Sequence, residues 1–223
     1  MAMQKTSVEK LSKVFNYLTE NGASEMAQVI TEIIRAESQT LKLGRFNIFD
    51  FAAKKDELRP VMETVFHENG SRIACDNYIL CVSQDDYEPN LEGKMLRKDG
   101  SIMENGKYPN WRAVVPTNPL ENGWKEYDIN EIDFANRLSA VRSAYKAQHG
   151  KPKTWDDHWY IRIGGAPLRA EQTAKLLAAA NHIGATKVLV KDSSYCVIVQ
   201  SEKGMALLMP LGEHGIDQTF TEL

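Results

Sequence analysis

The sequence has little cysteine, no long apolar run and no strong excess of either charge. Cys75, Cys81 and Cys196 are the three cysteines among 223 residues, and no CxxC pair occurs. That excludes a disulfide scaffold and gives no zinc-ribbon or thiol-redox signal. Each cysteine lies in an apolar, strand-like stretch and reads as a small buried hydrophobe in a reducing compartment. No apolar run approaches the roughly 18–20 residues that a bilayer-spanning helix needs. After Met1 the chain turns polar and charged within a few residues, unlike a secretory signal. The expectation is a cytoplasmic protein with no membrane partner. The formal net charge is −3, and hydrophobic residues make up 43% of the chain. Such a balance excludes a disordered or collagen-like chain. The length provides for one large domain or two small ones.

Catalytic signatures are scarce as well. Asp156-Asp157-His158 groups two carboxylates and an imidazole. Adjacent residues rarely converge on one metal without distant partners, so this reads as a solvated loop. His67, His149, His182 and His214 are scattered, with neither HxxxH nor Ser-His-Asp spacing. Cys75-Asp76 sets a thiol beside an acid, but no histidine is placed by sequence to activate it. Gly164-Gly165 lacks both GxGxxG and the P-loop Lys-Ser/Thr, and reads as a tight turn. Trp111, Trp124, Trp155 and Trp159 form no repeating stacking platform and read as core or turn anchors. No enzyme activity, metal or cofactor is expected.

What is present is organised secondary structure. Residues 6–20 carry Val8, Leu11, Val14, Phe15 and Leu18 at helical spacing, and Asn21-Gly22 is a helix stop. Ser24 opens a second helical stretch with Met26, Val29, Ile30, Ile33 and Ile34 on one side. Residues 1–42 are therefore expected to form a helical hairpin appendage, and 43–223 an α+β domain. Phe46, Ile48 and Phe51 suggest a short strand. Residues 61–66 and 71–83 read as strand runs around Glu68-Asn69-Gly70, where Asn-Gly is a hairpin signal. Residues 84–107 are turn-rich. Residues 108–119 read as a structured connector, with a sub-boundary near 108–125. A helix is expected over 132–148. The order β-α-β-β-β then follows, with strands at 159–163, 186–190, 195–200 and 206–209 and a helix over 168–180.

Three segments carry a resemblance. Residues 108–119, YPNWRAVVPTNP, resemble the FPDYRRVLPKNP-type segment of bacterial DNA sliding clamps, the β subunits of replicative DNA polymerase. Residues 72–82, RIACDNYILCV, are similar to that family's ATDGHRLAV strand pair, with Asn77-Tyr78-Ile79 in place of Gly-His-Arg. Residues 205–211, MALLMPL, resemble the VVMPMRL ending of clamp chains. The resemblance covers roughly residues 46–211, with the three segments in family order. It implies a clamp-like fold of β-α-β-β-β units with antiparallel sheets. At this length the fold is a reduced one, and the strand pair at 61–83 completes it in rearranged order.

The resemblance also implies a function: a non-enzymatic, DNA-associated protein that assembles as a homo-oligomer. Double-stranded DNA would be contacted through phosphates on basic helix faces. The candidates are Arg137, Arg142, Lys146, Arg169 and Lys175. Residues 131–187 hold nine Lys and Arg against five Asp and Glu, a local +4 in a chain of −3. Peptides of polymerase or other replication proteins would dock in an apolar pocket. By position that pocket takes Asp76, Asn77, Tyr78, Leu80, Pro116, Leu207, Met209, Pro210 and Leu211. Met and Leu offer an adaptable apolar surface, and proline holds the last segment extended. Leu207 and Met209 also alternate as core residues of a strand would. The alternative function is a protein-interaction or scaffold module on the same fold without DNA binding.

Overall fold

The computed structural model describes residues 46–129 and 160–212, together with residues 13, 14, 16, 17 and 26. The chain divides into two compact units, Met1–Arg45 and Phe46–Leu223. The helical hairpin expected over 1–42 and the helix expected over 132–148 lie outside the described residues.

Asn69-Gly70 makes the first hairpin. Both residues have positive φ, 51° and 73°, the backbone of a two-residue turn that matches strand twist. It pairs β1 (Val65–Glu68) with β2 (Ser71–Cys75), and Glu68 faces Ser71. The expected single run over 71–83 is two strands, β2 and β3 (Ile79–Ser83). Asp76 breaks the run. Its Oδ1 accepts from the amides of Tyr78 (2.7 Å) and Ile79 (2.8 Å), an Asx-type turn that folds β3 back on β2.

Short, polar segments hold strands that periodicity misses. β4 (Met95–Leu96) and β5 (Ile102–Met103) lie in the turn-rich stretch. β6 (Lys125–Asp128) follows the connector. Phe46, Ile48 and Phe51 do not form the expected strand. Ile48–Phe51 is a 3-10 turn, with the Phe49 amide donating to Asn47 Oδ1 at 3.1 Å. Residues three apart fall on one side of such a turn, so Ile48 and Phe51 are buried together.

The later half reads β7 (Tyr160–Ile163), β8 (Ala166–Arg169), α1 (Ala170–Ile183), β9 (Lys187–Val190), β10 (Val197–Ser201) and β11 (Gly204–Leu208). β8 was not expected, and the helix starts at Ala170 rather than 168. Gly164-Gly165, with φ of 57° and 89°, turns β7 into β8 as a separate two-stranded hairpin. α1 buries Thr173, Leu176, Leu177, Ala180 and Ile183 at three- and four-residue spacing. It stops at Gly184 in the left-handed region, where the Ala185 amide donates back to the Ala180 carbonyl at 2.8 Å.

Nine strands form one sheet in the order β5-β4-β1-β2-β3-β11-β10-β9-β6. All neighbours are antiparallel. β3 and β11 join the early and late halves, from Ser83 opposite Gly204 to Ile79 opposite Leu208. The side chains alternate across the sheet. One face carries Ile73, Leu80, Val82, Leu189, Ile198 and Leu207, packed with Tyr108 and Trp124 from the connector. The alternating residues Ile79, Cys81, Val197, Val199, Ala206 and Leu208 are buried too, and α1 packs on β3, β10 and β11. The chain is thus sheet-dominated and antiparallel. No helix among the described residues is long and apolar enough to cross a membrane.

Candidate functional site

Two grooves flank the end of β11. Past Leu208, residues 209–211 are held by two backbone hydrogen bonds. The Met209 amide donates to the Tyr78 carbonyl at 2.8 Å, and the Leu211 amide donates to the Pro167 carbonyl at 2.8 Å. Pro210 sits between these bonds, where its missing N–H leaves nothing unpaired.

The first groove, about 510 Å³, lies between the connector, the β9–β10 turn and Met209. Its walls are mostly apolar: Val114, Pro116, Trp124, Tyr195, Cys196 and Met209. The connector is anchored from below. Tyr108 is buried and its hydroxyl accepts the Cys75 amide at 3.1 Å. Trp111 Nε1 donates to Glu68 at 3.2 Å, and the Arg112 guanidinium lies 4.3 Å over the Trp111 ring while pairing with Glu68. Trp111–Val114 is a 3-10 turn, and it leaves Val114 57% exposed at the rim. Trp124 is buried at the base, edge-on to Tyr195 with ring centres 6.2 Å apart. Tyr195 (46% exposed) and Met209 (40%) complete an apolar lip. Such exposed large apolar side chains, clustered rather than scattered, mark a surface that can cover itself with a partner. Burial pushes the Cys196 thiol up to about 11, so it behaves as wall, not nucleophile.

The second groove, about 290 Å³, runs between the β2–β3 turn, residues 52–54 and the start of α1. Asp76, Asn77 and Tyr78 line it together with Arg169 and Lys175. Arg169 sits 5.4 Å from the Tyr78 ring centre, and Lys175 pairs with Glu171 at 3.8 Å. Arg59 donates to Asn77 and pairs with Asp56.

The residues expected to form one docking pocket are therefore divided. Pro116 and Met209, 93 positions apart in sequence, share the apolar groove. Asp76, Asn77 and Tyr78 lie in the polar one. Leu80 and Leu207 face each other across β3 and β11, 2% and 3% exposed, and belong to the core. Their period-2 position turns them inward, beneath the connector. Pro210 and Leu211 are half-buried past the end of β11. Of the basic residues, Arg169 and Lys175 are described, and each has a local partner. Arg137, Arg142 and Lys146 lie outside the described residues.

Sequence reading missed Val114, Tyr195 and Lys191 as groove residues. Val114 carries a signal in the apolar Ala113-Val114-Val115 run; the other two sit in an ordinary polar turn. Among the described residues no three His, Cys, Asp or Glu side chains group as a metal site would. The Cys75 thiol is raised by burial, with the Tyr108 hydroxyl 3.4 Å away partly offsetting it. Asp156, Asp157, His158, His149 and His214 lie outside the described residues.

No family model matches the chain, and no curated protein matches it. Solved structures are similar to it. One is the Helicobacter pylori beta clamp bound to a DNA ligase peptide, with a TM-score of 0.46, 11% identity, and coverage of 78% of this chain and 62% of that one. Another is the DNA polymerase III subunit beta of Pseudomonas aeruginosa, with a TM-score of 0.46, 12% identity, and coverage of 78% and 63%. A third is the sliding clamp of Bartonella birtlesii bound to griselimycin, with a TM-score of 0.48, 12% identity, and coverage of 80% and 65%. The chain spans less than two thirds of the length of each.

Proposed function

We propose that this protein is a non-enzymatic interaction module that docks an extended partner peptide in the groove between the connector and Met209. One observation carries the reading: Pro116 and Met209, drawn from distant segments, line a single apolar groove of about 510 Å³. That volume lies within the roughly 300–1,000 Å³ of sites that bury small ligands or a few side chains. The groove rests on a packed base of Trp124 and the sheet core, so it is formed before a partner arrives.

A random linear peptide library displayed on phage tests the reading. Selected on the full chain, it should yield peptides whose binding falls at least about tenfold on Val114→Asp and Met209→Asp variants, a loss of ~1.4 kcal/mol. Both positions are exposed, so the melting temperature of each variant should match the parent. Enrichment of no peptide sensitive to these substitutions would sink the docking reading.

DNA association is the wider reading, favoured by the local +4 charge over residues 131–187. With Arg169 over Tyr78 and Lys175 paired to Glu171, it depends chiefly on Arg137, Arg142 and Lys146. A homo-oligomeric ring, peptides of polymerase or other replication proteins and a cytoplasmic setting belong to this proposal. Duplex DNA should then bind at low salt, weaken steeply as salt rises, and be retained better on closed circles than on linear DNA. Absence of binding at low salt would leave the docking module alone.

A further inference from the structure

We infer that the groove selects peptides carrying a carboxylate next to their apolar anchors, and that Lys191 is the residue that reads it. The inference rests on the docking reading and sharpens the chemistry of the partner.

Among the described residues, Lys191 is the one charged side chain lining the apolar groove. It leaves the end of β9 and places its ammonium 4.3 Å from the centre of the Tyr195 ring. Tyr195 is itself braced edge-on by Trp124. A cation held over an aromatic face keeps its orientation, while its N–H donors stay available. Among the described residues no carboxylate lies within ion-pair distance of it. The nearest in sequence, Asp192, turns away: its Oδ1 accepts the Ser194 amide at 2.7 Å and closes the β9–β10 turn. Two acids near the connector are engaged elsewhere. Glu68 takes Trp111 and Arg112, and Glu121 accepts from Asn118 at 2.9 Å.

Three other cations near the grooves are ion-paired, whereas Arg169 in the second groove rests on the Tyr78 ring. Arg112 is neutralised by Glu68, Lys175 by Glu171 and Arg59 by Asp56. Among the described residues, Lys191 therefore stands as the uncompensated charge of a mostly apolar groove. A peptide that fills the groove strips water from that ammonium. A neutral peptide leaves the charge partly desolvated without a partner, whereas an acidic side chain or a terminal carboxylate supplies one. A basic peptide meets like charge.

The test uses the same displayed library on the full-length parent and on Lys191→Glu. Peptides whose binding to the parent is abolished by Val114→Asp should carry Asp or Glu at a constant spacing from their apolar residues. On Lys191→Glu the bias should turn to Lys or Arg. A synthetic copy of the leading acidic peptide should lose about fivefold in affinity on Lys191→Gln. Its amide counterpart, Asp to Asn or Glu to Gln, should be indifferent to that substitution. Raising salt should narrow the gap between the two peptides. Groove-dependent peptides with no acidic bias, or unchanged by Lys191→Glu, would overturn this inference and leave docking intact. Recovery of no groove-dependent peptide would overturn both.

Discussion

The Met209 amide donates to the Tyr78 carbonyl across 2.8 Å, tying the end of β11 to the β2–β3 turn. Met209 lines the apolar groove and Tyr78 the polar one. A single backbone bond therefore joins the walls of both. The Tyr78 carbonyl is positioned by Asp76, which holds the turn through two amides. The tail is positioned in turn by Leu211 on Pro167. The geometry at the groove lip thus depends on residues that do not line it.

Asp76→Ala removes the acceptor for the Tyr78 and Ile79 amides. It should lower stability by about 1–2 kcal/mol, the usual cost of orphaned turn donors. Asp76→Asn keeps an acceptor oxygen and should cost less. Hydrogen exchange at the Met209 amide should quicken in the alanine variant, because its carbonyl partner sits on the loosened turn. Urea unfolding and exchange mass spectrometry read the two effects.

Gly204→Ala should be among the most damaging glycine substitutions. Gly204 has φ of +151°, and a Cβ there would lie 2.2 Å from the Val82 carbonyl oxygen, a backbone atom that cannot swing aside. The site begins β11, the strand that joins the two halves of the sheet. Backbone strain alone costs roughly 1–3 kcal/mol, and the clash adds to it. Gly70→Ala is the control. Its φ is +73°, but open space surrounds the added methyl, so it should lose only the backbone part. Denaturant midpoints of the pair decide this.

Stability should fall as pH drops below about 6.5. His67 is buried on β1 with Nδ1 unpartnered among the described residues, and burial holds its imidazole below the usual value. His182, stacked on Phe46, is also lowered: burial outweighs the opposing pull of Asp85. The sign follows from proton uptake. The unfolded chain binds these protons at a higher pH than the folded one, so stability is full above the unfolded pKa and declines toward the folded value. Urea midpoints should be lower at pH 5.5 than at pH 7.5, and His67→Leu should flatten the difference. An unchanged slope in that variant would exclude His67 as its source.

The three thiols should be silent in the native protein. Burial pushes Cys81 up to about 12 and Cys196 up to about 11, and raises Cys75. Little thiolate then exists near neutrality, and access is poor. A thiol reagent at pH 8 should count none rapidly before denaturation and three afterwards. Rapid native reaction at Cys196 would show the groove wall opening.

Local chemistry made part of this fold readable in sequence. Asn69-Gly70 announced its hairpin because those residues tolerate positive φ, and α1 followed from its Ala- and Leu-rich apolar spacing. β10 and β11 are runs of apolar residues long enough to show themselves. β4, β5 and β6 were hidden because two to four residues with polar neighbours carry no period, and only pairing at the sheet margin makes them strands. β8 was hidden inside a helix-like stretch, since its extended form depends on Gly164-Gly165 returning it onto β7. The sequence by itself determined the Asn69-Gly70 hairpin, the turn between β10 and β11 and the burial of the cysteines. The tertiary structure decided which distant segments meet. The β3–β11 pairing turned Leu80 and Leu207 into core and left Met209 beside Pro116 in the groove. Contacts between segments this far apart are selected by the packing of the whole sheet, and no local pattern encodes them.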